Sequence, residues 1–217
     1  MNYKIIVKCV KKREPYIEYL RNHLPEDTIY CYDKTKNAMD TFLEALKLAK
    51  SYPCLHLEDD VILCDNFLDK VSVEIDKRPN EVIQFFSRRK DDILIGSRYC
   101  SGGSFMCSVC FYLPMGLSKE LLEYYESWKV YDSGKNPTGT DLFVAWVLRK
   151  KKMRYWIVVP NLVDHRVGRS SINPRRSSKR QSRTFGVTDL EKLKRDFLKE
   201  RSVKIWKRKR IRKKRKR

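Results

Sequence analysis

The sequence predicts an α/β fold in which a mixed, mostly parallel sheet is flanked by helices. Two observations lead to this prediction. The first 65 residues alternate between short apolar runs and segments of helical spacing, in the order β-α-β-α-β, which is typical of a parallel sheet covered by helices. The apolar run from Leu55 to Leu63 also contains three consecutive acids, Glu58, Asp59 and Asp60. Such a run indicates a buried strand with its acids at or just past the carboxyl end, where sheets of this kind bind ligands.

Apolar spacing defines the elements of the first half of the chain. Lys4 to Val10 is predicted to form the first strand, and Pro15 begins a helix that runs to about Leu24, since proline is favoured in the first helical turn. Further strands are predicted at residues 28–32 and 81–86, and further helices at residues 38–50 and 66–75. The basic turn at residues 11–13, Asp33 and the three acids then lie at the same edge of the sheet.

The second half of the chain contains two candidate functional residues. Strands are predicted at residues 105–113 and 155–160, helices at residues 117–128 and 142–151, and a flexible loop at residues 101–104. Asp141 is predicted to cap the second of these helices. A helix N-terminus favours the charged form of a carboxylate, which suits a general base. His165 is predicted to lie in a polar loop directly after the last strand.

Most of the formal net charge of +21 lies toward the C-terminus. Residues 1–165 hold 25 Lys and Arg against 23 Asp and Glu, whereas residues 166–183 hold seven basic residues without an acid and residues 201–217 hold twelve. We therefore expect a nearly neutral domain over residues 1–173, then a basic loop and a C-terminal helix over residues 174–200. Residues 201–217 are expected to form a polybasic tail that grips a polyanion, either disordered or helical on binding.

The sequence also predicts a cytoplasmic protein without a transmembrane segment. Its apolar runs are shorter than the roughly 20 residues that a membrane span needs, and the first residues lack the small-residue cleavage site of a signal peptide. The seven cysteines are an odd number and lie mostly within apolar runs. This usage favours reduced thiols over a disulfide framework.

Four features together resemble the glycosyltransferases of the GT-A fold. They are the β-α-β-α start, the acidic motif Leu57-Glu58-Asp59-Asp60-Val61 at the end of a strand, Gly139-Thr140-Asp141 at the beginning of a helix, and the histidine loop Pro160-Asn161-Leu162-Val163-Asp164-His165 followed by Gly168 and Ser170-Ser171. The resemblance covers residues 3–173. It implies a Rossmann-like GT-A domain that uses Mn²⁺ or Mg²⁺ and a UDP-sugar donor.

The resemblance also implies a role for each matching residue. Asp60 and His165 would bind the metal, and Asp59 would hold the ribose, with Glu58 in support. Asp141 would be the catalytic base of an inverting enzyme. The residues that match the contacts to the nucleotide base and ribose are Val10, Arg13, Asp33 and Asn37. Arg13, Arg166 and Arg169 are candidates to stabilise the diphosphate. The sequence has Glu-Asp-Asp where the family has Asp-x-Asp.

The basic segments favour DNA as the acceptor, because they can bind phosphate backbones without sequence preference. In this respect the chain resembles the DNA-modifying glycosyltransferases of phages, which implies transfer of the sugar to a hydroxymethylated pyrimidine. The residues expected to contact the DNA are Arg166, Arg169, Arg175, Arg176, Lys207, Arg208, Lys209 and Arg210.

Three other functions remain open at this stage. A polybasic tail also binds anionic lipid headgroups, so a lipopolysaccharide or other envelope glycosyltransferase is the main alternative. A metal-dependent nuclease would share the clustered carboxylates, but Val-Ile-Leu-Cys follows the acids where two-metal sites usually add a lysine. A non-catalytic nucleic-acid-binding protein would account for the tail and leave the acids and His165 unrelated.

Overall fold

The computed structural model describes residues 2–132, 139–166 and 180–200 of the 217-residue chain. The strands are β1 (Lys4–Cys9), β2 (Ile29–Tyr32), β3 (Cys54–Glu58), β4 (Val61–Leu63), β5 (Val82–Gln84), β6 (Arg98–Ser101), β7 (Cys110–Leu113), β8 (Arg154–Ile157) and β9 (Val163–His165). The helices are α1 (Glu14–Arg21), α2 (Ala38–Ala49), α3 (Phe67–Lys77), α4 (Asp92–Ile95), α5 (Leu117–Asp132) and α6 (Thr140–Lys150). Residues 190–200 are also helical.

Seven of the strands in these ranges form one sheet in the order β2-β1-β3-β7-β5-β8-β6. Strands β2, β1, β3, β5 and β8 run in one direction, and β7 and β6 run against them. Helices α1 and α3 contribute to one hydrophobic cluster of the core, and α2, α5 and α6 contribute to another. The prediction of an α/β fold with a mixed, largely parallel sheet flanked by helices is therefore confirmed. Among the described helices, none is long and apolar enough to cross a membrane.

A second, two-stranded sheet corrects two details of the sequence prediction. The run from Leu55 to Leu63 is not one strand, because β3 ends at Glu58 and β4 begins at Val61 after a turn. Strand β4 pairs antiparallel with β9, and this pairing places Val61 opposite His165. His165 therefore lies in a strand and is only 2% exposed, whereas the sequence predicted a polar loop.

The predicted strand at residues 105–113 is shorter than expected, since β7 begins at Cys110. Cys107 has a φ of 66°, which is left-handed backbone that interrupts an extended strand. The side-chain amide of Gln84 donates to the carbonyl oxygens of Met106 and Cys107. These hydrogen bonds satisfy two carbonyl oxygens that would otherwise pair with the backbone of a neighbouring strand.

The glycine-containing segment at residues 101–104 is not the predicted flexible loop. Ser101 ends β6, and Gly102–Ser104 forms a 3-10 turn. Gly102 is buried against α6, and a β-carbon at this position would lie 2.5 Å from Leu148 Cβ and 2.6 Å from the carbonyl oxygen of Met153. Only glycine allows this close approach.

Replacing Gly102 by alanine is expected to lower the free energy of unfolding by about 3 kcal/mol, at the upper end of the usual cost of overpacking a core. Urea denaturation measures this change. Gly103→Ala is the matched control, because its added methyl would meet the flexible side chain of Arg149 at 3.2 Å. Equal losses in the two variants would contradict the packing described for Gly102.

His56 is a buried polar residue in the middle of β3. Its ring stacks on Phe111 with the centroids 5.1 Å apart, and Phe42 approaches it edge-on. Neither ring nitrogen has a hydrogen-bond partner within the described part of the chain. Burial, and then the charge of Lys8, lower the pKa of His56 to about 3. The imidazole is thus neutral and unsatisfied in the folded protein.

Replacing His56 by leucine, which has a similar volume, is expected to raise the free energy of unfolding at pH 7 by about 1–3 kcal/mol. The pH dependence should change as well. The folded-state pKa of about 3 lies below the ordinary value of 6.5, so the unfolded chain takes up the proton first as the pH falls. The unsubstituted protein should therefore lose about 2 kcal/mol more than His56→Leu between pH 7 and pH 5. Urea titrations at both pH values test this, and parallel losses would contradict it.

Candidate metal centre

The three consecutive acids lie at the carboxyl end of β3, beside the end of β1. Glu58 is the last residue of β3, and Asp59 and Asp60 form the turn that leads to β4. Strand β9 lies next to β4, and its last residue is His165. The two-stranded sheet therefore brings a histidine that is distant in the sequence to the edge where the acids lie.

Glu58, Asp60 and His165 can each direct one ligand atom to a common point. These three atoms lie within 4.8 Å of one another. Asp60 and His165 are buried, whereas the Glu58 side chain is 30% exposed, so the cluster is open to solvent on one side. Carboxylate oxygens and an imidazole nitrogen suit Mn²⁺, and the oxygens also suit Mg²⁺.

The hydrogen bonds of His165 favour a metal ligand. Its Nδ1 lies 2.9 Å from the carbonyl oxygen of Arg166, which can only accept, so Nδ1 carries the proton and Nε2 presents a lone pair. Nε2 lies 3.4 Å from Asp60 Oδ2. Neither Nε2 nor Asp60 Oδ1 has a hydrogen-bond partner within residues 2–132, 139–166 and 180–200. A cation between the two side chains would satisfy both.

Burial disfavours the ionised form of Asp59 and Asp60. Burial, followed by the neighbouring charge of Glu58, raises the pKa of Asp60, although His165, Arg13 and Arg180 counteract this. Burial also raises the pKa of Asp59 to about 6, against the stabilising effect of Arg13 and the amide of Val10. A divalent cation would favour the ionised carboxylates.

Asp59 is fixed by the turn that follows β1, and its side chain is not part of the cluster. Its Oδ2 accepts a hydrogen bond from the amide of Val10 at 2.6 Å, and its Oδ1 accepts one from Arg13 Nη1 at 2.6 Å. The same nitrogen of Arg13 lies 2.8 Å from Asp60 Oδ2. The predicted residues Val10, Arg13, Asp59 and Asp60 thus form one connected network.

Lys8 belongs to this site, although the sequence analysis did not identify it. It is paired with Glu58 in the register of β1 and β3. Its Nζ donates to the carbonyl oxygen of Ser108 at 3.0 Å and lies 3.9 Å from Glu58 Oε1. Burial lowers the pKa of Lys8, against the charges of Glu58 and Asp59. The sequence does contain a signal for this role, because Lys8 is a charged residue inside an otherwise apolar strand, Ile5-Ile6-Val7-Lys8-Cys9.

Arg166, directly after β9, contacts Asp60 through its backbone. The amide of Arg166 donates to the carbonyl oxygen of Asp60 at 2.8 Å. The guanidinium of Arg166 lies over the rings of Tyr16 and Tyr19, at 4.8 and 4.7 Å from their centroids. Arg180 is close enough for its charge to lower the pKa of Asp60. In the sequence, Arg180 is one of the seven basic residues of the segment 166–183.

Asp141 lies in the first turn of α6 and is not its cap. Gly139 occupies the N-cap position, and the helix begins at Thr140. The Asp141 carboxylate accepts hydrogen bonds from the amide of Cys107 at 3.1 Å and from the amide of Leu142 at 3.0 Å. The preceding residue, Thr140, is hydrogen-bonded to the Ser108 hydroxyl at 2.8 Å, and the carbonyl oxygen of Ser108 accepts from Lys8 Nζ at 3.0 Å. The start of α6 therefore lies near the lysine that pairs with Glu58.

Asp33 and Asn37 lie at the carboxyl end of β2 and shape the connection to α2. The amide of Asp33 donates to the carbonyl oxygen of Cys9 at 2.7 Å, and its Oδ1 accepts from the amides of Thr35 and Asn37. Asn37 caps α2 by accepting from the amide of Met39 at 2.9 Å. Both residues are thus held beside β1.

The remaining predicted contacts with DNA lie outside the described residues. They are Arg169, Arg175, Arg176, Lys207, Arg208, Lys209 and Arg210.

Comparison with known proteins shows a distant likeness in structure. No family model matches the chain, and no curated protein matches it. Among solved structures, the chain is similar to the crystal structure of A197 from STIV, with 17% sequence identity and a TM-score of 0.44. The match covers 82% of this chain and 92% of that chain.

Proposed function

We propose that this chain is a divalent-metal-dependent glycosyltransferase of the GT-A type that transfers a sugar from a nucleotide-sugar donor. One observation carries the proposal. Glu58, Asp60 and His165 offer ligand atoms within 4.8 Å of one another, next to an Asp59 carboxylate that Val10 and Arg13 hold in place. Side chains that can bind a metal ion, next to a carboxylate of fixed orientation, suit a ligand with both a diphosphate and a ribose.

The charges around the cluster support a polyanionic ligand. Among the described side chains, Lys8 and Arg13 form ion pairs with the carboxylates of Glu58, Asp59 and Asp60, so a formal charge of −3 meets one of +2. A divalent cation would raise the total from −1 to about +1, and a bound anion would offset this charge.

Each residue then has a defined task. Bound Mn²⁺ or Mg²⁺ supplies Lewis-acid stabilisation of the diphosphate leaving group. Asp60, Glu58 and His165 would hold that ion, and Asp59 would accept hydrogen bonds from the ribose. Asp141 takes the proton of the acceptor hydroxyl as the hydroxyl attacks the anomeric carbon, which gives inversion of configuration.

The basic C-terminal segments favour DNA as the acceptor. Residues 201–217 hold twelve Lys and Arg and no acid, and such a segment binds phosphate backbones through counterion release. The proposed acceptor is a hydroxymethylated pyrimidine, whose 5-substituent projects into the major groove. A protein that acts on DNA in this way would work in the cytoplasm.

A metal-dependent nuclease is the second candidate, and Lys8 is the observation that favours it. The sequence contains no lysine directly after the acids, but Lys8 Nζ lies 3.9 Å from Glu58 Oε1. A lysine near clustered carboxylates is a common companion of metal-assisted phosphodiester hydrolysis. Against this candidate, Lys8 is buried and its ammonium donates to the carbonyl oxygen of Ser108.

A transfer assay with the full chain distinguishes these functions. The reaction contains Mn²⁺ or Mg²⁺, labelled UDP-sugars, and DNA with 5-hydroxymethyluracil or 5-hydroxymethylcytosine, with unmodified DNA and a lipid-linked saccharide as controls. We expect metal-dependent labelling of the modified DNA that EDTA abolishes and high salt weakens. Labelling of the lipid-linked saccharide alone would show that the acceptor is an envelope saccharide and not DNA. Metal-dependent DNA cleavage without donor consumption would overturn the glycosyltransferase in favour of the nuclease.

A further inference from the structure

Three loops at the carboxyl edge of the large sheet carry an excess of cations. Residues 11–14 follow β1, residues 33–37 follow β2 and residues 87–91 follow β5. These loops hold eight Lys and Arg against three Asp and Glu, whereas the remainder of residues 1–165 holds 17 against 20. The three loops together form the basic edge of the domain, and this edge also contains the metal centre.

Six side chains of the basic edge are exposed and have no acidic partner. Among the described residues, none of the six takes part in an ion pair. They are Lys11, Lys12, Lys34, Lys36, Arg88 and Lys90. Exposed lysines on the helices differ, because several of them pair with a glutamate of the same helix. Examples are Lys47, Lys77, Lys119 and Lys129. The charge of the basic edge is therefore available to an external anion.

Hydrogen bonds place the loops after β1 and β2 side by side. These strands are adjacent and parallel, and the amide of Asp33 donates to the carbonyl oxygen of Cys9 at 2.7 Å. Asp33 Oδ1 accepts from the amides of Thr35 and Asn37, which fixes the second loop. The two loops, with two exposed lysines each, therefore form one continuous patch.

The metal centre lies between the two parts of the basic edge. In the sheet order β2-β1-β3-β7-β5, the patch lies on one side of Glu58 at the end of β3, and residues 87–91 lie on the other. Four strand spacings separate β2 from β5, a width of about 19 Å. A DNA duplex covers that width with about five or six base pairs. One bound duplex can therefore contact cations on both sides of the metal centre.

The composition of the basic edge favours a phosphate backbone over a membrane surface. Interfacial binding to a membrane uses exposed apolar or aromatic side chains in addition to cations. Large hydrophobic side chains are exposed elsewhere in the described part of the chain, but none of them belongs to the three loops. Binding by cations alone is typical of contacts with the nucleic-acid backbone.

We propose that the basic edge binds the phosphate backbone of DNA on both sides of the metal centre, so that the duplex lies across its opening. The Glu58 side chain, 30% exposed, marks that opening. The inference rests on the proposed function, which supplies DNA as the acceptor. It adds a DNA-binding surface on the folded domain to the basic C-terminal segments.

The test measures binding of the full chain to a fluorescent duplex containing 5-hydroxymethylcytosine, by anisotropy at several salt concentrations and without a sugar donor. Each phosphate contact contributes about 0.9 to the slope of log affinity against log salt concentration. Combining Lys11→Gln, Lys12→Gln, Lys34→Gln and Lys36→Gln should make this slope shallower by about 3 to 4. Combining Arg88→Gln and Lys90→Gln should make it shallower by about 2. A loss in only one of the two variants would contradict binding on both sides.

A matched control removes the same charge from the helix faces. Combining Lys47→Gln, Lys77→Gln, Lys119→Gln and Lys129→Gln lowers the net charge by four, as the first variant does, and should change the slope by less than about 1. An equal change in the control and the first variant would show an effect of net charge alone and overturn the basic edge. Unchanged DNA binding in the first variant, together with lost binding to phosphatidylglycerol vesicles, would assign the surface to membranes and overturn the proposal.

The binding measurement is independent of sugar transfer, so the two proposals can fail separately. If the basic-edge variants lose DNA contacts but the unsubstituted chain transfers no sugar, the basic edge stands and the glycosyltransferase is wrong. If the unsubstituted chain transfers sugar to DNA and the basic-edge variants keep its salt dependence, the basic edge is wrong and the proposed function stands.

Discussion

Replacing Asp60 by asparagine is expected to weaken Mn²⁺ binding by about 100-fold or more and to abolish metal-dependent donor binding. Asp60 is buried, and its Oδ2 lies 3.4 Å from His165 Nε2. Its Oδ1 has no hydrogen-bond partner within the described residues. Asparagine keeps the shape of the side chain but removes the negative charge that would bind the ion. The substitution therefore tests the charge of Asp60 more than its packing.

Electron paramagnetic resonance of free Mn²⁺ during a protein titration measures this loss directly. Asp65→Asn is the matched control, because it removes the same charge from an exposed position five residues further along. Thermal unfolding of both variants checks that the fold is retained. Unchanged Mn²⁺ affinity in Asp60→Asn would show that Asp60 is not a ligand of the metal ion.

Replacing Asp141 by asparagine should lower the rate of sugar transfer by about 100-fold to 10,000-fold, the range that a general base contributes. Asp141 is the predicted base, and its carboxylate is held by the amides of Cys107 and Leu142. Asparagine cannot take the proton from the acceptor hydroxyl. The affinity for Mn²⁺ and the donor should change little, because Asp141 is not one of the clustered metal ligands.

Single-turnover transfer at saturating donor and acceptor isolates the chemical step for Asp141. Asp40→Asn is a suitable control, since Asp40 is an exposed acid in the first turn of another helix, α2. A rate for Asp141→Asn within about threefold of the unsubstituted chain would exclude Asp141 as the base. A parallel loss of donor affinity would show that Asp141 acts in binding instead.

The sequence predicted the sheet and the position of the acids because both depend on local patterns. Apolar alternation and helical spacing extend over a few residues, and they identified the β-α-β-α-β start that brings Glu58 to the carboxyl edge. The same reasoning could have identified Lys8. Once β1 and β3 are adjacent parallel strands, their register pairs Lys8 with Glu58.

Other parts of the site depend on contacts between distant segments, which local patterns do not contain. Strand β9 is only three residues long and includes Asp164 and His165, so its composition indicates a loop. It becomes a strand because β4, about a hundred residues earlier, supplies its partner. Asp141 was predicted as a cap because aspartate is favoured at that position, whereas its carboxylate accepts from the amide of Cys107, which is distant in the sequence.

Anomalous X-ray diffraction from crystals soaked in Mn²⁺ and UDP tests the central claim most directly. The account predicts one strong anomalous peak between Asp60 and His165, at about 2.0–2.3 Å from Asp60 oxygen and His165 Nε2. The diphosphate of UDP should contact the same ion. A Mn²⁺ peak elsewhere, with UDP bound away from Asp60, would contradict the metal centre and the function proposed for it.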